Sequence, residues 1–263
     1  MTHKDQTPHV ESSLADYRVV EHGPRQGETL LFLHGGNAAG WTWAGLVEHM
    51  PTRHVLTPDL PGYASRAAET WPGTARAADD IAELIGQRAL DQQAHVIGLS
   101  LGGFVAVQLL RRHPDIVRSC ILSGSALSGY RFFERRLVAA QIPLWRQRWY
   151  WALQAKLFRI PQESLAQYIA DATAPSQQTN AAMVHEITNH QLPPQPLNYT
   201  GQILAVAAEH DGTAIRNGLK DLREIVPQTS TWIAPGVHHA WQTEAPELFA
   251  RMVLQHADTG VWP

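Results

Sequence analysis

The run Ala94-His95-Val96-Ile97-Gly98-Leu99-Ser100-Leu101-Gly102 decides how the rest of the chain is read. Its first four residues form a largely apolar, strand-like stretch, and a helical pattern follows Gly102 as far as His113-Pro114. A strand that turns abruptly into a helix pushes the side chain at the tip of the turn, here Ser100, clear of the backbone. Gly98 and Gly102, two positions either side, lack the Cβ atoms that would hold strand and helix apart at so sharp a bend. The pattern constrains only three positions, and a serine that merely ends a strand or caps a helix is the plain alternative. The neighbouring segments therefore have to agree with it.

They do agree. Short apolar runs at 17–20, 29–33, 54–57, 94–97, 119–122, 202–207 and 229–233 read as strands. Helical patterns lie between them at 43–49, 75–86, 101–112, 213–225 and 246–255. That alternation predicts an α/β fold, a mainly parallel central sheet with helices on both faces. The 263 residues, 44% of them hydrophobic, suffice for a sizeable core, because a chain of this length buries roughly three quarters of its unfolded surface. The alternation stops between about 125 and 200. Tyr130, Phe132, Phe133, Trp145, Trp149, Tyr150, Trp151, Phe158 and Tyr168 occur there at helical spacing, punctuated by Pro143 and Pro161. The segment closes with the breaker cluster Leu192-Pro193-Pro194-Gln195-Pro196. The expected organisation is a polar tail at 1–16, a core formed by 17–124 and 199–263, and a helical insertion at 125–198 over the sheet's carboxyl edge.

Composition excludes several classes of function. A net charge of −3 gives no reason to expect a nucleic-acid partner. Cys120 is the only cysteine, so no internal disulfide can form, and its neighbours Ile121 and Leu122 place it among buried apolar residues. No stretch approaches the roughly 18 apolar residues of a membrane span. The polar first fifteen residues lack the apolar centre of a secretory signal, so the expected location is cytoplasmic.

In open parallel sheets, ligands bind outside the carboxyl ends of the strands. The polar residues that follow each strand are His34-Gly35-Gly36-Asn37, Pro58-Asp59-Leu60-Pro61-Gly62-Tyr63, the Ser100 turn, Ala208-Glu209-His210-Asp211, and Pro235-Gly236-Val237-His238-His239-Ala240-Trp241. In this order they resemble the capped, cofactor-independent hydrolases of the α/β-hydrolase superfamily, over about residues 17–124 and 199–255. The serine turn and the terminal run from Gly236 through His239-Ala240-Trp241 to Phe249 are its most specific pieces.

The resemblance implies a nucleophilic Ser100 and a general base at His239. The family's base stands three residues after a glycine and before a small residue, which prefers His239 to the adjacent His238. It implies Asp211 as the carboxylate that orients the base, with Glu209 as the alternative. The backbone N–H groups of Gly36 and Leu101 are the implied oxyanion-binding pair. The chain departs from the pattern twice: no proline follows Asp211 in Gly212-Thr213-Ala214-Ile215, and His238 stands where relatives often have a glycine or alanine. By the same resemblance Asp59 shapes its turn, while His34 is expected to hold its own loop by hydrogen bonding. Asn37 and Trp241 are the candidate substrate contacts, set against solvent exposure for Asn37 and plain packing for Trp241. No cofactor is implied, and the His238-His239 pair lacks a third metal ligand at useful spacing.

Between 131 and 159 seven basic residues (Arg131, Arg135, Arg136, Arg146, Arg148, Lys156, Arg159) meet one acidic residue, Glu134. An amphipathic insertion with its cations in water, a pocket that attracts an acidic substrate, and a surface facing a membrane or partner all fit this pattern. The aromatics favour an apolar pocket roof and a substrate with a hydrophobic acyl or ring group. The implied activity is hydrolysis of small apolar carboxylic esters, thioesters or lactones through an acyl-enzyme. Carbon–carbon bond hydrolysis on the same residues, or a ligand-binding protein with a retained pocket, are the alternatives. A serine at position 100 argues against dehalogenase and epoxide-hydrolase chemistry, whose relatives carry aspartate there.

Overall fold

Side-chain alternation along the strands divides the core into two layers. In β2 (Thr29–Leu33), Leu31 and Leu33 pack into one cluster and Leu30 and Phe32 into the other. The same division continues in β4 (Ala94–Leu99), where Val96 faces one layer and Ile97 the opposite one. It recurs in β5 (Val117–Ser123) and β6 (Gln202–Ala208). Strands buried on both faces need cover on both, and the helices supply it. The computed structural model describes residues 19–189, 192 and 197–262. The expected tail at 1–16, the first two residues of the expected strand at 17–20, and Pro193-Pro194-Gln195-Pro196 lie outside the described residues.

With β1 (Val19–His22), β3 (His54–Pro58) and β7 (Thr229–Ala234), the strands form one seven-stranded sheet in the order β1-β3-β2-β4-β5-β6-β7. β1 runs antiparallel to β3, and every other pairing is parallel. The first layer is covered by α2 (Thr74–Arg88), α3 (Leu101–Arg112) and α8 (Thr213–Ile225). The second is covered by α1 (Ala44–Val47), the short α9 (Trp241–Glu244) and α10 (Pro246–Thr259). In α8 the buried Ile215, Leu219 and Leu222 form the stripe that the spacing predicts. Two ends differ from the sequence reading. The helix expected at 43–49 is a 3₁₀ turn (Gly40–Trp43) followed by the four residues of α1, where Gly45 weakens any longer helix. α10 runs past 255 to Thr259 and stops at Gly260, whose φ of 72° is a left-handed helix end.

Between β5 and β6 lie α4 (Phe132–Gln141), α5 (Arg148–Leu157), α6 (Leu165–Thr173) and α7 (Gln177–Ile187), with no strand among the described residues. Tyr150, Trp151 and Ala155 of α5 pack on Tyr168, Ile169 and Ala172 of α6 in a small cluster of their own. Polar ties hold these helices to the sheet's loops. Asn37 Nδ2 donates to Ala172 O and to Asn180 Oδ1, both at 3.1 Å. Trp41 Nε1 donates to Asp171 Oδ2 at 2.6 Å. Glu186 accepts from Trp71 Nε1 at 2.8 Å and from the backbone N–H and hydroxyl of Thr74 at 2.9 and 2.7 Å, capping the start of α2. No helix among the described residues is long and apolar enough to cross a membrane.

Candidate active site

Ser100 sits between the last residue of β4 and the first of α3 with φ 51° and ψ −112°. A non-glycine residue at positive φ is strained, and it persists only where the surroundings hold it. Here they do so tightly. The Ser100 N–H donates to Ser123 O at 2.8 Å, and Ser125 Oγ donates to Ser100 O at 2.8 Å. The close approach depends on the missing side chains. A Cβ on Gly98 would lie 2.4 Å from Gly102 O, one on Gly102 would lie 2.2 Å from Leu33 O, and one on Gly103 would lie 2.0 Å from Ser125 Oγ. Leu101 opens α3, so its N–H has no acceptor within the helix.

Asp211 follows β6 by three residues and is buried. Its Oδ2 accepts from the Ala208 N–H at 2.8 Å, and its Oδ1 lies 2.8 Å from His239 Nδ1. A carboxylate only accepts, so Nδ1 donates and Nε2 of His239 keeps its lone pair for a second partner. The ring of His239 leans over Gly124, where a Cβ would stand 2.8 Å from Cε1 and 3.0 Å from Nδ1. His238 turns elsewhere. Its Nδ1 lies 3.1 Å from Glu244 Oε2, and its ring stacks 4.4 Å from that of His210. Glu209 Oε2 accepts from the Gly236 N–H at 2.5 Å, which occupies it in shaping the loop ahead of the histidines.

Ser100 and His239 line one cavity of about 240 Å³, together with Gly36 and Asn37. That is slightly smaller than the roughly 300–1,000 Å³ of ordinary ligand pockets. Tyr150, Trp151, Gln154 and Phe158 from α5 and its end, Tyr168 from α6, and Met183 from α7 complete it opposite the sheet. Among the described residues no Lys, Arg, Asp or Glu side chain lines it. The basic residues of 131–159 therefore do not reach the cavity. A Cβ on Gly36 would press on the flexible end of Met183, 3.1 Å from its Cε.

The other expected residues separate clearly. Trp241 does not form a wall of the cavity. It is fully buried in the second core layer, 4.3 Å from the Phe249 ring, and donates from Nε1 to Ser123 Oγ at 3.0 Å. An indole beside the base has its own apolar site to fill, and packing takes it. Asn37 lines the cavity, yet both its donor bonds go to the helical insertion, so it ties two walls together. His34 is buried, with Nδ1 donating to Gly35 O at 2.7 Å and Nε2 accepting from the Leu60 N–H at 2.9 Å. Burial pushes its pKa below the ordinary histidine value. Asp59 accepts from the Gly40 N–H at 2.8 Å and from Ser65 Oγ at 2.6 Å, and so joins two loops.

Sequence reasoning passed over Gly124 and Glu244. Glu244 accepts from the His238 N–H at 3.0 Å and pairs with Arg159 Nη1 at 2.7 Å, linking the histidine loop to the helical insertion. The only sequence signal for Gly124 was its place in Leu122-Ser123-Gly124-Ser125, where a strand ends without a carboxylate.

A family model described as alpha/beta hydrolase family matches residues 30–252. The chain belongs to this family. An AB hydrolase superfamily protein of Gibberella zeae is 28% identical over 247 residues, covering 88% of this chain and 80% of that relative. A pimeloyl-[acyl-carrier protein] methyl ester esterase of Vibrio vulnificus is 25% identical over 247 residues, covering 88% of this chain and 95% of that protein. Among solved structures, an esterase from Exiguobacterium antarcticum superposes with a TM-score of 0.76 at 16% identity, over 92% of this chain and 96% of its own. This α/β hydrolase is accordingly an enzyme of the α/β-fold hydrolase class.

Proposed function

We propose that the enzyme hydrolyses small, uncharged carboxylic esters, thioesters or lactones with an apolar acyl or ring group, through an acyl-enzyme on Ser100. The observation that carries this reading is the 2.8 Å Asp211–His239 pair beside Ser100, in a cavity that no Lys, Arg, Asp or Glu among the described residues lines. His239 Nε2 takes the hydroxyl proton as Ser100 Oγ bonds to the acyl carbon. The negative oxygen of the tetrahedral intermediate is met by the N–H groups of Gly36 and Leu101, where losing one such donor costs roughly 2.7–4 kcal/mol. The intermediate collapses as the bond to the leaving oxygen or sulfur breaks, and the Nε2 proton passes to that group. Water then gives a proton to Nε2 as it bonds to the acyl carbon; the bond from that carbon to Ser100 Oγ breaks, the Nε2 proton returns to Oγ, and the acid leaves. Asp211 keeps the histidine in the required tautomer throughout.

The helices between β5 and β6 act as a cap that closes the pocket over the acyl group. The uncharged lining favours neutral substrates over acidic ones. It also weighs against an anionic substrate of carbon–carbon bond hydrolysis, which would need a cation inside. The esterase named among the relatives is consistent with this bond type. The test uses p-nitrophenyl butyrate, a p-nitrophenyl ester with a free acyl carboxylate, and a fluorophosphonate. Butyrate hydrolysis, poor turnover of the acidic ester and labelling at Ser100 are expected, with hydrolysis and labelling abolished in Ser100→Ala. A folded protein that the probe does not label would instead be a ligand-binding member of the fold.

A further inference from the structure

Seven of the nine large apolar side chains exposed among the described residues lie between 132 and 157. α4 has no buried residue and turns Phe132, Phe133 and Leu137 to solvent, with Phe133 82% exposed. α5 exposes Trp149, Leu153, Lys156 and Leu157, which at a spacing of four, three and one residues form a single stripe. Its opposite side is apolar as well, because Tyr150, Trp151 and Ala155 are buried there. A helix that is apolar on two sides belongs inside a larger body or against a second apolar phase. Tyr150 Oη donates to Gln141 Oε1 at 2.8 Å, which joins the end of α4 to α5 across a turn that exposes Leu144.

The surrounding charge selects what covers these stripes. Arg131, Arg136, Arg146, Arg148 and Lys156 are exposed, and no exposed carboxylate lies between 131 and 159. Glu134, the one acid there, is half-buried and accepts from the Arg131 N–H at 2.8 Å. The Arg136 guanidinium lies 4.9 Å from the centre of the Phe132 ring, so cation and aromatic occur side by side. A two-fold contact with a second copy would set this surface against itself, cation facing cation. Negative charge outside and hydrocarbon just beneath satisfy both demands, and an anionic lipid bilayer has that layering. Aromatic and leucine side chains interleaved with Arg and Lys are what a helix lying in the headgroup plane presents.

We propose that α4 and α5 form a docking surface for anionic lipid bilayers. Phe133, Trp149, Leu153 and Leu157 enter the boundary between headgroups and acyl chains, and the basic side chains meet the lipid phosphates. This inference stands apart from the esterase reading, since it concerns binding alone.

Co-sedimentation with vesicles of phosphatidylcholine, with and without phosphatidylglycerol, tests it. Binding to the anionic vesicles at low salt is expected, weakening as salt is added. It should be at least about tenfold weaker on neutral vesicles, since each basic side chain near the surface adds about 1 kcal/mol. Trp149→Ser/Leu153→Ser and Arg146→Glu/Arg148→Glu should each lose most of the binding, with circular dichroism reporting that both variants remain folded. Four results would overturn the proposal: no binding to anionic vesicles; full binding by the folded Trp149→Ser/Leu153→Ser variant; tighter binding to soluble polyglutamate than to vesicles, which indicates an acidic protein partner; or lipid-free dimerisation that Trp149→Ser abolishes.

Discussion

At the scale of single residues, the ring of His239 has its place beside the Ser100 turn because position 124 carries no side chain. Gly124 holds φ at +67°, and a methyl group there would meet the imidazole at 2.8 Å. Gly124→Ala should therefore act twice. The backbone strain costs roughly 1–2 kcal/mol of stability, and the displaced base lowers kcat for p-nitrophenyl butyrate about 10²-fold. Urea denaturation and steady-state kinetics separate the two effects, and unchanged kcat would dissociate the ring's position from turnover. Much of the candidate site was legible at this scale, since Ser100, Asp211 and His239 each follow a recognisable strand. What Gly124 contributes was not, because its contact joins residues 115 positions apart (239 − 124). Of the two readings of Trp241, packing prevails over substrate contact for a related reason. Sequence adjacency to His239 says nothing of which side of the sheet an indole faces, and here it faces Phe249.

At the scale of elements, one carboxylate couples the helical insertion to the core. Glu186 of α7 accepts from Trp71 and Thr74 and supplies the cap that α2 lacks, since Gly73 before it offers no side chain. Glu186→Ala should destabilise the protein by about 1–3 kcal/mol in urea unfolding. It should also raise KM for p-nitrophenyl butyrate more than it lowers kcat, because α7 carries Met183 into the cavity. A variant with wild-type unfolding would remove this coupling from the argument. The sheet was legible because its inner strands are short, almost continuously buried apolar runs, and α8 because its burial follows a period of 3.6 residues. α4 was not, since periodicity tells which side chains share a face and leaves open whether anything covers them. The same gap explains why the basic residues of 131–159 could be read as lining a pocket that they do not enter.

Across the whole molecule, histidines hidden from water make stability depend on pH. Burial, with His95 adding in the same direction, pushes the pKa of His256 down to about 4, and burial lowers those of His34 and His95 as well. An unfolded histidine binds its proton near pH 6.5. Stability from these groups is therefore complete above that value and declines as pH falls toward the folded-state values, near 4 for His256. Thermal unfolding followed from pH 7.5 to 4.5 should show Tm falling, and His256→Leu should make the fall shallower; an equally steep fall in the variant would assign it to other groups. The uncharged lining of the cavity has a consequence for turnover. On the esterase reading, cleavage turns a neutral guest into an anion that finds no cationic anchor among the walls. On that reading the acid should be held more weakly than the ester that enters, so turnover should slow little as product accumulates.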